Sequence, residues 1–165
     1  MIPSAYSPEE ARGLWVFLEQ EAGRLEGVAL ELLGKGRELA GARGVPLTGL
    51  LLGQGVESAA RQAIAHGADH VLVADDPLLA VYTTDAYTNV VARLVLERKP
   101  ETLLLGATPN GRDLAGRLAV RLRTGLTADC TELAWEEGTG LLLGEVSGFG
   151  GGVMASIKCA RHRPQ

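Results

Sequence analysis

A chain of 165 residues and 17.3 kDa, 46% hydrophobic, 22% charged and 4% aromatic, has the make-up of one ordinary globular domain. Its formal charge of -4 excludes the pairing of low hydrophobicity with high net charge that marks native disorder. Sixteen Lys and Arg against twenty Asp and Glu, with a pI near 5.4, supply no basic field for a phosphate backbone, which excludes nucleic acid as the main partner.

No apolar run approaches the roughly 18 residues that span a bilayer, and Met1 to Pro8 lacks the basic flank and apolar stretch of a secretory signal. The expectation is a cytoplasmic protein without membrane insertion.

Taken in chain order, Leu14, Val16 and Leu18 alternate within Gly13 to Gln20 and predict a first strand. From Leu25 the apolar set Leu25, Val28, Ala29, Leu32, Leu33, Leu39 and Ala40 keeps helical spacing until Gly41 and Gly44 stop it. Leu47 to Leu52 reads as a second strand, Val56 to His66 as a short helix ended by Gly67, and Val71 to Ala74 as a third strand. Thr83 to Asp85 can cap a helix carrying Ala86, Val90, Val91, Leu94 and Val95 on one face and stopped by Pro100. Leu103 to Leu105 is a fourth strand, and a fourth helix runs from about Asp113 to Leu122.

Short apolar runs bounded by Gly, Pro or Asp suit strands buried on both faces, so the alternation predicts an α/β doubly wound, mostly parallel sheet. After Gly125 the rhythm turns to strands alone: Leu126 to Trp135, Leu141 to Val146 and Val153 to Cys159. The expectation is an antiparallel addition at the sheet edge within a single domain over residues 1–165.

Ligands of such a sheet bind where loops leave the carboxyl ends of the strands. The loop from Gly106 to Asp113 has the Gly-x-x-x-x-Gly spacing of a phosphate cradle, but Arg112 stands where Lys is needed and Asp113 where a magnesium-binding hydroxyl is needed. Gly106, Thr108, Gly111 and Arg112 therefore form a candidate vestigial anion loop. Arg112 at a helix start is disfavoured by about 0.3 to 1 kcal/mol, so a compensating charge is required: Asp113, an anionic ligand, or an acidic surface on a partner chain.

Gly148, Phe149, Gly150, Gly151 and Gly152 precede a strand and not a helix, so they read as a loose strand connection or as a surface where another backbone approaches. Asp75 and Asp76 before Pro77 read as a solvated turn pair. His66, His70 and His162 lack metal-ligand spacing, and no nucleophile elbow or Cys-His signature occurs. Cys130 and Cys159 read as structural thiols, and Trp15 and Trp135 as packing residues. The residues predict no catalytic group and no metal site.

The run Leu103-Leu104-Leu105-Gly106-Ala107-Thr108-Pro109-Asn110-Gly111-Arg112-Asp113-Leu114-Ala115-Gly116-Arg117-Leu118-Ala119 and the run Thr124-Gly125-Leu126-Thr127-Ala128-Asp129-Cys130 closely resemble the electron transfer flavoprotein alpha subunit. So do Trp15 to Glu19, Gly67 to Val71 and Gly151 to Ala155. The resemblance implies a heterodimeric electron carrier whose alpha and beta subunits share FAD. It takes electrons from acyl-CoA and other dehydrogenases, as in fatty acid beta-oxidation, and passes them to a membrane quinone oxidoreductase.

The resemblance further implies that a C-terminal domain, absent after Gln165, supplies most FAD contacts and that the beta subunit holds AMP. The N-terminal domain would then be scaffold and beta-subunit interface, binding no cofactor by itself. Arg112, Arg117, Phe149, Gly150 and Gly151 are its interface candidates, and open edge strands raise the expectation of a self-dimer. That domain is similar to universal stress proteins and adenine nucleotide alpha hydrolases, so a stand-alone adenine nucleotide-binding module is the alternative reading.

Overall fold

The computed structural model describes residues 5–148 and 151–165. Four strands build its main sheet: β1 (Leu14–Phe17), β4 (Leu47–Gly53), β5 (His70–Asp75) and β6 (Thr102–Leu104). A small antiparallel pair, β2 (Gln20–Glu21) and β3 (Arg24–Leu25), follows β1, and no pattern in the sequence had announced it. The helices are α1 (Gly27–Arg43), α2 (Glu57–Ala65), α3 (Thr84–Arg98) and α4 (Pro109–Leu122).

The main sheet is parallel throughout, in the order β5-β4-β1-β6. Every residue of β1 and β4 is buried, because each strand is covered on both faces. Leu14, Val16, Leu47 and Leu51 face the layer of Ala29, Leu33, Ala59 and Ala63 from α1 and α2. Trp15, Phe17, Leu50 and Leu52 face Tyr87, Val91, Leu114 and Leu118 from α3 and α4. The doubly wound α/β architecture expected from the alternation is therefore present. β5 differs from its expectation: as the outermost strand it is half-exposed, with Val73 46% accessible, so its apolar run does not mean burial on both faces.

Helix ends follow local chemistry. Gly44 closes α1 at φ 61, the left-handed conformation that a residue without Cβ adopts at low cost. Thr108 caps α4 by accepting from Gly111 N–H at 3.0 Å, and Pro109 takes the first helical position. The fourth helix thus begins at Pro109 and not near Asp113, and the supposed cradle loop shrinks to Gly106 and Ala107.

The C-terminal strands, β7 (Glu132–Trp135), β8 (Leu142–Gly148) and β9 (Val153–Ile157), are antiparallel as expected. They form a sheet of their own and do not hydrogen-bond to the edge of the parallel one. Residues 126–131, the first part of the strand expected from Leu126 to Trp135, are irregular. This sheet docks through Leu133, Trp135 and Leu142 onto the layer of α1. Trp135 Nε1 donates to Leu39 O at 2.9 Å, and the Arg43 guanidinium lies 4.6 Å from its ring centre. No helix among the described residues is long and apolar enough to cross a membrane.

Candidate functional site

The strand order reverses between β1 and β6: the chain leaves β1 outward through β4 to β5, then returns to the other side of β1 as β6. The crevice above the carboxyl ends of β1 and β6 is the position where this topology receives ligands. Glu19, just past β1, and Gly106, just past β6, meet there.

Thr108 Oγ1 lies 2.8 Å from both Glu19 carboxylate oxygens and donates to them, while accepting the N–H of Gly111. A Cβ on Gly106 would stand 2.7 Å from Val28 Cγ2 and 2.9 Å from Glu19 Oε1. A Cβ on Gly111 would stand 2.0 Å from the Gly106 carbonyl oxygen and 3.0 Å from Glu19 Oε1. Three of the four loop candidates are thus gathered around a carboxylate of the chain itself. The helix dipole of α4 favours that negative charge at its N-terminus. Burial outweighs the Thr108 hydrogen bond and, with the Glu26 charge, holds the Glu19 carboxyl above the usual carboxylate range.

Arg112 points elsewhere. Its Nε donates to Ala107 O at 3.0 Å and its Nη2 pairs with Asp129 at 2.9 Å. Asp113, the adjacent carboxylate expected to balance it, turns to α3 instead and accepts from Tyr82 Oη and Thr84 Oγ1, both at 2.6 Å. Successive residues on a helix point about 100° apart, which separates Arg112 from Asp113 despite their adjacency. The hydrogen bonds from Thr84 and Tyr82 hold the Asp113 carboxyl below its usual range. Burial and the Asp113 partnership push the Tyr82 phenol up to about 12.

The groove beside this crevice has a volume of about 710 Å³ and is lined by Glu19, Glu21 and Glu26 together with Phe17, Tyr82 and Tyr87, among others. None of its lining residues is Lys or Arg. The three rings pack edge-on against one another, Tyr82 to Tyr87 at 4.9 Å and Phe17 to Tyr87 at 6.3 Å, and so do not open a flat slot for a base. Three carboxylates without a cation repel a nucleotide's phosphates. The residues of this crevice therefore do not fit the phosphate end of AMP or FAD.

The remaining candidates are dispersed. Arg117 pairs with exposed Asp85 of α3 at 2.9 Å. Gly151, at φ 92, lies between β8 and β9, while Phe149 and Gly150 lie outside the described residues. Asp75 accepts from Gly55 and Val56 N–H, and Asp76 from Leu78 N–H, so this pair organises turns. Among the described residues no group of three or more His, Cys, Asp or Glu is placed to hold a metal ion. Glu19 and Asp129, the carboxylates that organise the loop, were not singled out as site residues in the sequence. A Glu two residues past a buried strand was the available signal for Glu19.

A family model described as "Electron transfer flavoprotein domain" matches residues 14–165. The chain belongs to the electron transfer flavoprotein domain family. It is 53% identical to "Electron transfer flavoprotein subunit alpha" of Clostridium acetobutylicum and 55% identical to "Protein FixB" of Clostridium saccharobutylicum, each over 93% of this chain and 46% of the relative. It is also 44% identical to "Acryloyl-CoA reductase electron transfer subunit beta" of Anaerotignum propionicum, over 93% of this chain and 48% of that protein. The chain thus spans a little under half the length of these curated relatives. The family match includes the whole crevice, from Glu19 through the loop to Asp129.

Proposed function

We propose that this chain is the amino-terminal part of an alpha-type subunit of an electron transfer flavoprotein, acting as scaffold and as seat for a beta-type subunit. It carries no reaction of its own. FAD belongs to the complete two-subunit protein, held mainly by a domain outside this chain, and AMP belongs to the beta subunit. Electrons reach that flavin from dehydrogenases, acyl-CoA types among them, and leave through a quinone oxidoreductase; the protein works in the cytoplasm.

The observation that carries this reading is the family match across residues 14–165 combined with a crevice filled from within by Glu19. Electrons must travel on a cofactor, because Cys130 and Cys159 form no Cys-x-x-Cys pair and no other side chain here is a one-electron carrier. A relative named as the electron transfer subunit of an acryloyl-CoA reductase supports a redox partner that acts on acyl-CoA thioesters. The same crevice weighs against the stand-alone nucleotide module.

Calorimetry with FAD, AMP and ATP tests the division of labour. The expected result is no binding heat at millimolar ligand for the chain alone. Stoichiometric FAD or AMP binding by this chain would refute it.

A further inference from the structure

The groove of about 710 Å³ beside Glu19 has the volume of a site that encloses a few side chains rather than a broad protein face. Two loops supply most of its wall, residues 18–26 after β1 and residues 76–83 after β5, and Thr108 and Asn110 at the start of α4 complete it. The second loop leaves apolar surface in solvent. Val81, on the groove wall, is 74% accessible, and Leu78, three residues earlier in the same loop, is 81% accessible. Tyr82 commits its hydroxyl to Asp113, so what it adds to the wall is its ring.

Charge is concentrated at the same place. The two loops, with Asp75 at the end of β5, carry Glu19, Glu21, Glu26, Asp75 and Asp76 against one guanidinium, Arg24. Five negative charges less one positive give -4, which is the formal charge of the whole chain, so all other residues together are neutral. None of these five carboxylates forms an ion pair among the described residues, whereas Glu57, Asp85 and Glu97 on the helices do. Arg24 stands opposite Glu21 in the β2–β3 ladder but does not line the groove. Burial raises the Glu19 carboxyl and the like charge of Glu26 raises it further, the sign expected where carboxylates crowd without a counter-ion. A cation entering the groove relieves that field.

We propose that this groove docks a short segment of a partner polypeptide in which Lys or Arg adjoins an apolar side chain, the cation lying among Glu19, Glu21 and Glu26 and the apolar group against Val81. Charge complementarity selects this occupant. An acidic segment meets net repulsion, and a wholly apolar one leaves the carboxylates desolvated and unpaired. The apolar ridge of Val81 and Leu78 supplies the contact that a lone inorganic cation cannot use. This docking is separate from the scaffold role, and its test uses the chain alone, so neither result depends on the beta-type subunit.

The test titrates the capped peptide Lys-Leu-Arg-Leu-Lys into the isotope-labelled chain by NMR. It is expected to shift the Glu21 and Glu26 amides and the Val81 methyls, and to bind about tenfold more weakly at about 300 mM salt than at about 20 mM. Glu-Leu-Gln-Leu-Glu should not bind, and Lys-Gly-Arg-Gly-Lys, which keeps the charge and lacks the apolar groups, should bind about tenfold more weakly. The double variant Glu21→Gln/Glu26→Gln should weaken the first peptide about tenfold. Glu132→Gln/Glu145→Gln, which removes two charges from the antiparallel sheet, should leave its affinity within about twofold. If the first double variant loses its native spectrum, Val81→Lys, at an exposed position, puts a cation of the chain's own on the wall and should weaken the peptide by a similar factor. Unmoved Glu21, Glu26 and Val81 resonances at millimolar peptide, equal binding of the acidic peptide, or equal affinity of the groove variant and the Glu132→Gln/Glu145→Gln control would overturn the proposal.

Discussion

Thr108→Ala removes two contacts at once: the cap on Gly111 N–H and the hydroxyl donor to Glu19. Loss of a Thr cap costs about 1 kcal/mol. Withdrawing the donor from a carboxylate costs about another 1 kcal/mol, the lower end of the range because Glu19 remains partly solvated. The expected total of about 2 kcal/mol, divided by the unfolding entropy typical of 165 residues, lowers Tm by about 6 °C. Urea unfolding followed by far-UV circular dichroism measures it in four proteins: the parent, Thr108→Ala, Glu19→Gln and the double variant. If the loop is an internal latch, Glu19→Gln removes the charge that needs the donor, and Thr108→Ala then costs only its cap, a coupling of about 1 kcal/mol. Thr108→Ser should restore most of the loss. A Thr108→Ala cost that is the same with and without the Glu19 charge would refute the latch. The pH dependence has a defined sign: burial raises the Glu19 carboxyl in the fold. Its contribution to stability is complete below the unfolded carboxylate pKa and is lost as pH rises through the higher folded value. Carboxyl carbon NMR should find Glu19 titrating higher still in Thr108→Ala.

Gly111→Ala forces a methyl to within 2.0 Å of the Gly106 carbonyl oxygen, a backbone atom that cannot rotate away. It should destabilise by about 3 kcal/mol or more, and a loss under 1 kcal/mol by urea unfolding would show that the loop relaxes freely. Ultraviolet titration should find the Tyr82 phenol ionising at about 12, and Asp113→Asn should move it toward the ordinary value near 10 by removing the negative charge at 2.6 Å. No movement in Asp113→Asn would place the cause in burial alone.

The parts of this fold legible in the sequence are those written in local chemistry. The helical spacing from Val28 to Ala40, the stop at Gly44 and the buried run Leu47 to Leu52 all correspond to elements that the structure contains, although Leu25, read as the first residue of that helix, lies in β3. Thr108-Pro109 also spells a helix start, but the glycine spacing around it matches a phosphate loop, which places the expected start near Asp113. Which sheet a strand joins is not a local property. β7, β8 and β9 were readable as strands, yet their separation from the parallel sheet depends on how Trp135 and Leu142 settle on α1. The site was least legible because its pairs are distant in sequence: Glu19 with Thr108, Arg112 with Asp129, Tyr82 with Asp113. Spacing within one segment could show that Arg112 needed a counter-charge, but not which carboxylate would arrive.

Holding a companion subunit is the role we propose for this chain. Size-exclusion chromatography with light scattering on an equimolar mixture with a purified electron transfer flavoprotein beta subunit tests it directly. A one-to-one complex at micromolar concentration is the expected result. Two species eluting separately, with the expected masses of the free chains, would contradict it.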